Sequence, residues 1–148
     1  MQSLRRAQPA DASAIAALTR RAYAKWVPLI GREPLPMRAD YAVAVASHRF
    51  DLLYVGETLA ALIETTPRDD ALLIVNVAVD PAFQGRGHGR RLLALAEDLA
   101  AEAGLAIMRL YTNQAFAENV RLYQSVGYAI EREETSELGV TTYMAKTL

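Results

Sequence analysis

With 148 residues, 52% of them hydrophobic, the chain is long enough for one domain that buries well over half of its unfolded surface, and disorder is excluded. A net charge of −1 gives no long-range pull toward nucleic acid or an anionic membrane. The absence of cysteine excludes a disulfide framework, a thiolate metal site and a cysteine nucleophile, and two histidines forty residues apart do not make a metal centre.

Met1 to Arg6 has no apolar signal core behind it, and no run approaches the ~20 apolar residues of a membrane span, so the cytoplasm is the expected compartment. Ser3 to Ala7 is a short strand candidate. Pro9-Ala10-Asp11 then starts a helix to about Lys25, with Asp11 in the cap or first turn. Its buried stripe is Ile15, Leu18, Ala22 and Trp26. Trp26 to Pro36, with its prolines and Gly31, reads as a loop, and a short helix follows from Met37 to about Ser47. Phe50 to Val55 and Leu59 to Thr65 flank the hairpin turn Gly56-Glu57-Thr58. A turn at Thr66 to Asp70 leads into the long strand Ala71 to Val79.

Gln84-Gly85-Arg86-Gly87-His88-Gly89 comes next and opens into a helix carrying Leu92, Leu95, Ala96, Leu99 and Ala103, which Gly104 ends. Leu105 to Thr112 is a buried strand, and Phe116 to Val126 a helix ended by Gly127. Tyr128 to Thr135 and Val140 to Thr147 are the last two strands. The order is β-α-α-β-β-β-α-β-α-β-β in a single domain over residues 1–148.

Strand, glycine turn and helix start together build an anion site. Glycines at 85, 87 and 89 allow φ > 0 and leave N–H groups unobstructed. The helix N-terminus adds free donors and roughly half a positive charge, and Arg86, Arg90 and Arg91 surround the turn. The loop is not a mononucleotide P-loop, because Arg90-Arg91-Leu92 supplies neither the lysine nor the hydroxyl of G-x-x-x-x-G-K-S/T. A dinucleotide fingerprint from Gly85 would need glycine at 90, and it belongs to a first βα turn, whereas half the chain precedes this one.

What fits is the pyrophosphate loop of the GNAT superfamily of N-acetyltransferases: Gln or Arg, two residues, Gly, one residue, Gly or Ala, matched by Gln84, Gly87 and Gly89. Asn119-Val120-Arg121-Leu122-Tyr123-Gln124-Ser125-Val126-Gly127-Tyr128 resembles that superfamily's N-x-x-A/R-x-x-L/F/Y-Y-x-x-x-G-F/Y signature in type and order. The likeness extends from about Leu4 to the C-terminus.

The resemblance implies the acyl-CoA N-acyltransferase fold, an α/β (α+β) architecture whose mixed, mostly antiparallel sheet has about seven strands, with about four helices. The strands ending at Val79 and Thr112 would splay, and Val77, Ala78 and Val79 would offer main-chain groups to the pantetheine arm of acetyl-CoA, a form of strand addition. Gln84, Gly85, Arg86, Gly87, His88, Gly89 and Arg90 would hold its pyrophosphate. Asn119 and Tyr123 share a helical face; the resemblance gives Asn119 the pantetheine and Tyr123 the departing CoA thiolate. No metal is implied.

An acceptor amine near pKa ~10.4 must lose a proton before it attacks. The glutamate that one branch of the superfamily carries before the CoA loop falls on Leu73, so it does not transfer. A simple hairpin at Thr66 to Asp70 would instead bring Glu64 roughly opposite Leu73, as a base; His48, Glu33, Tyr111 or a water path are alternatives. Tyr23, Trp26, the loop containing Arg32 and Glu33, and Tyr41 would form one wall of the acceptor pocket. The expected activity is acetyl transfer to a primary amine of a small metabolite by direct attack. Acetylation of a protein N-terminus or lysine, or a non-catalytic CoA-binding module, are the alternatives. Neither a nucleic-acid nor a membrane partner is expected, and the protein would be a monomer or homodimer.

Overall fold

The computed structural model describes residues 1–148. Seven strands form one sheet: β1 (Gln2–Arg6), β2 (Arg49–Val55), β3 (Thr58–Arg68), β4 (Ala71–Val79), β5 (Ile107–Asn113), β6 (Ala129–Ser136) and β7 (Gly139–Thr147). Their spatial order is β1-β2-β3-β4-β5-β7-β6. Neighbours are antiparallel except β4 and β5, which are parallel, as the helical crossover between them requires. The helices are α1 (Ala12–Tyr23), a single turn α2 (Val27–Ile30), α3 (Tyr41–Ser47), α4 (His88–Glu102) and α5 (Ala117–Ser125). This is the mixed, mostly antiparallel architecture expected from the sequence.

Helices cover both faces of the sheet, so its central strands are buried on both sides and read as apolar runs. Strand alternation divides β2 and β3 between two cores. Leu52 and Leu62 point to Ile15, Leu18 and Ala22 of α1. Leu53, Ala61 and Ile63 point to the opposite face, against Leu92, Leu93 and Ala96 of α4.

The feature that positions the site is an interrupted ladder. β4 pairs with β5 only from Ala71↔Ile107 to Ile74↔Leu110, although β4 runs to Val79 and β5 to Asn113. Beyond Ile74 the strands part, which leaves one edge of β4 open.

Three sequence expectations are revised. The turn expected at Thr66–Asp70 is strand as far as Arg68, and only Asp69-Asp70 turns, with Asp69 at φ 56°. Aspartate tolerates that left-handed conformation. Pro67 is accommodated because β3 there extends past its last pair with β2, Arg49↔Thr65, and lacks a neighbour on that side. The helix expected from Met37 begins only at Tyr41, where the Asp40 side chain accepts from the N–H groups of Ala42 and Val43. Inside the expected loop, Val27–Ile30 makes one helical turn, closed by Gly31 at φ 72°.

Candidate active site

The open edge of β4 lines a groove of about 360 Å³. Asp80 N–H donates to Ala60 O at 2.8 Å, so strand alternation turns the main-chain groups of Val77 and Val79 away from β3, into the gap. Two contacts place them there: the Tyr23 hydroxyl lies 3.4 Å from Val77 O, and Gln84 Nε2 donates to Val79 O at 3.2 Å. The intervening Ala78 also lines the groove.

At the groove's end stands the glycine turn. Gly85 and Gly87 have φ of +78° and +82°, and Gly87 is the N-cap of α4. Gly89 corrects the expectation of three left-handed glycines. It is already helical, and a Cβ there would make ordinary contacts, 3.6 Å from Leu122 Cδ2 and 3.9 Å from Val79 Cγ2, so neither its φ nor its neighbours require glycine. The first internal bond of α4 is Arg91 N–H to Gly87 O, at 3.0 Å. The N–H groups of His88, Gly89 and Arg90 precede it and have no partner within the helix, which is the donor set an anion needs.

The side chains around the turn divide. Arg90 lines the groove and donates to Ser125 Oγ at 2.9 Å. The Arg86 guanidinium lies 5.3 Å over the Phe83 ring and does not line the groove. The His88 imidazole is 4% exposed and heads the inward stripe His88, Leu92, Ala96, so only its main chain remains for an anion. Arg91 bonds Gln2 across the surface.

α5 supplies the opposite wall through Asn119, Leu122 and Tyr123. Counted back from Tyr123, the superfamily signature puts its asparagine at position 116, where this chain has Phe116; Asn119 stands where the signature has Ala or Arg. Phe116 stacks on Trp26 at 4.6 Å, and Asn119, one turn later, takes the polar position in the groove. Tyr123 is 7% exposed, and its hydroxyl has no hydrogen-bond partner within the protein. Burial pushes its phenol up to about 12.

A second cavity of about 590 Å³ adjoins the first, and both share Tyr23 as a wall. Its inner end holds Glu64, 4% exposed, with Oε2 2.7 Å from His48 Nδ1. No group of the protein bonds Glu64 Oε1. Glu64 pairs with Asn76, not with Leu73, because the tighter Asp69-Asp70 turn puts Thr66 opposite Leu73 and a bulge follows Glu64. Tyr23 donates to Asn76 Oδ1 at 2.8 Å, and Asn76 Nδ2 lies 3.4 Å from both Thr19 Oγ1 and the Tyr41 hydroxyl. This buried network was missed from sequence. Its signal was available, since Asn76 is the one amide in the apolar run Ala71–Val79.

Of the residues expected around an acceptor, Arg32 and Tyr111 line this second cavity. Trp26 does not: it lies on the first groove, held by Phe116 and by Lys25 Nζ at 4.7 Å. Glu33 faces outward to Arg20 at 3.4 Å.

Burial raises the Glu64 carboxyl above its ordinary range, and the His48 bond offsets only part of that. The unfolded chain keeps the ordinary value, so the folded chain holds the extra proton between the two, and stability falls as pH rises through that window. Glu64→Gln removes this titration. It should melt at or above the wild type near neutral pH, with the difference shrinking toward about pH 4. Melting several degrees below wild type near neutral pH would show instead that the carboxylate is net stabilising through His48.

A model of the Acetyltransferase (GNAT) family matches residues 15–128, and the chain belongs to that family. Ribosomal protein bS18-alanine N-acetyltransferase of Escherichia coli strain K12 is 35% identical over 79 residues, 53% of this chain and 53% of that protein. The corresponding protein of Haemophilus ducreyi is 41% identical over 71 residues, covering 47% and 48%. The matched stretch thus spans about half the length of these relatives. Among solved structures, PaiA N-acetyltransferase of Thermoplasma acidophilum, in complex with coenzyme A, superposes with a TM-score of 0.84 at 18% identity, covering 100% of this chain and 99% of that one. The Escherichia coli ribosomal-protein-S18-alanine enzyme gives 0.80 at 22% identity, covering 99% and 94%. These likenesses establish the fold. No helix is long and apolar enough to cross a membrane.

Proposed function

We propose that the protein is an acetyl-CoA-dependent N-acetyltransferase that acts on a primary amine. The observation that carries this reading is the open edge of β4 running into the N-terminus of α4, with the unpartnered Tyr123 hydroxyl on the facing wall. The main-chain groups of Val77 and Val79 suit the amides of a pantetheine arm, and the free N–H groups of residues 88–90, with Arg90, suit a pyrophosphate. Acetyl-CoA, when bound, supplies the activated acetyl group. The amine enters from the second cavity, and the Glu64–His48 pair takes its proton. Tyr123 donates a hydrogen bond to the sulfur as charge develops on it.

Two acceptors remain in view. A small amine suits the second cavity, whose volume is about 590 Å³, whereas a protein N-terminus is favoured by the relatives, whose names specify a ribosomal-protein alanine. CoA and acetyl-CoA are expected to raise the melting temperature, by linkage, well above any effect of ATP or NAD; saturation at about 100 times Kd corresponds to roughly 2.7 kcal/mol. Acetyl-CoA should then release CoA when an amine is added. Equal stabilisation by ATP, or binding with no release across amines and N-terminal peptides, would overturn the enzyme reading, the latter in favour of a CoA-binding module.

A further inference from the structure

We infer that the second cavity receives a primary amine carried on an apolar body, its charged end at Glu64 and its body against the mouth; this rests on the acetyltransferase reading. Four large apolar side chains ring the cavity while remaining open to solvent: Leu35 is 55% exposed, Val43 61%, Tyr111 44% and Leu138 48%. They come from four separate segments, the turn before α3, α3 itself, β5 and the β6–β7 turn. Convergence of such groups on one mouth marks a surface that something apolar covers.

Charge fixes the ligand's orientation. Arg32, the cation on this lining, is committed to main-chain carbonyls, with Nη2 donating to Leu138 O at 2.8 Å and Nη1 to Glu33 O at 3.2 Å. Asp40 caps the N-terminus of α3, its Oδ1 accepting from Ala42 and Val43, and stands exposed to water at the mouth rather than at the buried end. Glu64 keeps Oε1 without a protein partner at the inner end, beside His48. An ammonium there satisfies the carboxylate and lies toward Tyr23, the wall shared with the first groove.

The rim discriminates among amines. A polyamine would bring a second ammonium among Leu35, Val43 and Leu138, whose side chains offer it no acceptor, leaving it only the exposed, water-screened Asp40, and an N-terminal peptide would bring main-chain N–H and C=O groups to the same apolar side chains. An aryl or alkyl group loses nothing there and hides apolar area from water at about 25 cal/mol per Å². The volume is that of sites for small organic ligands.

The test compares 2-phenylethylamine and hexylamine with spermidine and with an alanine-initiated peptide, as acceptors at saturating acetyl-CoA. Calorimetry of 2-phenylethylamine on the CoA-loaded protein gives a readout independent of turnover. The expected result is kcat/KM for the two apolar amines at least about tenfold above the others, and loss of about tenfold for them in Val43→Asp. Val43 is exposed enough that this variant should fold and keep the wild-type thermal shift with CoA. Faster turnover of spermidine or the peptide, or an unchanged apolar-amine kcat/KM in Val43→Asp, overturns the inference and leaves the acetyltransferase reading intact. Binding of CoA with no turnover of any acceptor overturns both.

Discussion

Gly87→Val is expected to abolish the thermal stabilisation given by CoA and acetyl-CoA while leaving a folded protein. A Cβ at Gly87 would meet nothing within 4 Å, so the substitution is not a clash. The penalty comes from the backbone, because Gly87 sits at φ +82° as the N-cap of α4 and valine has no comfortable left-handed state. The strain, roughly 1–2 kcal/mol, is relieved by rotating the turn. That rotation moves the free N–H groups at the start of α4, and a pyrophosphate is held only while they converge. Gly56→Val is the matched control: φ is +59°, a Cβ there is equally unobstructed, and the β2–β3 turn is no part of the groove. It should cost similar stability and retain the full CoA shift. Survival of the shift in Gly87→Val would place the pyrophosphate elsewhere.

The glycine turn was legible because its chemistry is local: a strand, two glycines that need positive φ, and a helix start follow one another in sequence. Even there, sequence alone could not divide the side chains. His88 turns inward because the phase of α4 puts it on the stripe with Leu92 and Ala96, and Arg86 folds back onto Phe83. The succession of strands and helices along the chain followed from apolar runs and their periods, whereas the spatial strand order and the two-faced burial of β3 are read from the structure. The acceptor side depends on register, which changes when the turn shortens from Thr66–Asp70 to Asp69-Asp70. Asp69-Asp70 carries no glycine to mark it, Pro67 reads as a breaker, and the bulge after Glu64 shifts the pairing again, so Asn76 rather than Leu73 faces Glu64. The family resemblance puts Trp26 in the region that forms the acceptor wall. Stacking on Phe116, a contact between segments ninety residues apart, turns it to the other groove instead.

Tyr123→Phe should lower kcat by about 10²-fold with little change in KM for acetyl-CoA, since a group that acts only as charge develops contributes to the transition state and not to binding. The loss of one hydroxyl that bonds nothing in the protein leaves packing against Tyr128, 6.1 Å away between ring centres, undisturbed. The form of the contribution follows from magnitudes. A phenol pushed up to about 12 lies some 3.5 units above a free thiol near ~8.5, so complete proton transfer to the sulfur would be uphill by about 5 kcal/mol. Burial in the same groove raises the thiol's own value and narrows that gap, but a hydrogen bond that strengthens as the thiolate forms needs no transfer at all. The hydroxyl should therefore stay protonated through the working range, and kcat should show no falling limb from Tyr123 below about pH 10. A falling limb near neutral pH that disappears in Tyr123→Phe would assign Tyr123 a true proton transfer. Near wild-type kcat in the variant, with chemistry shown to be rate-limiting, would reduce Tyr123 to a packing residue and require another route for the departing thiolate.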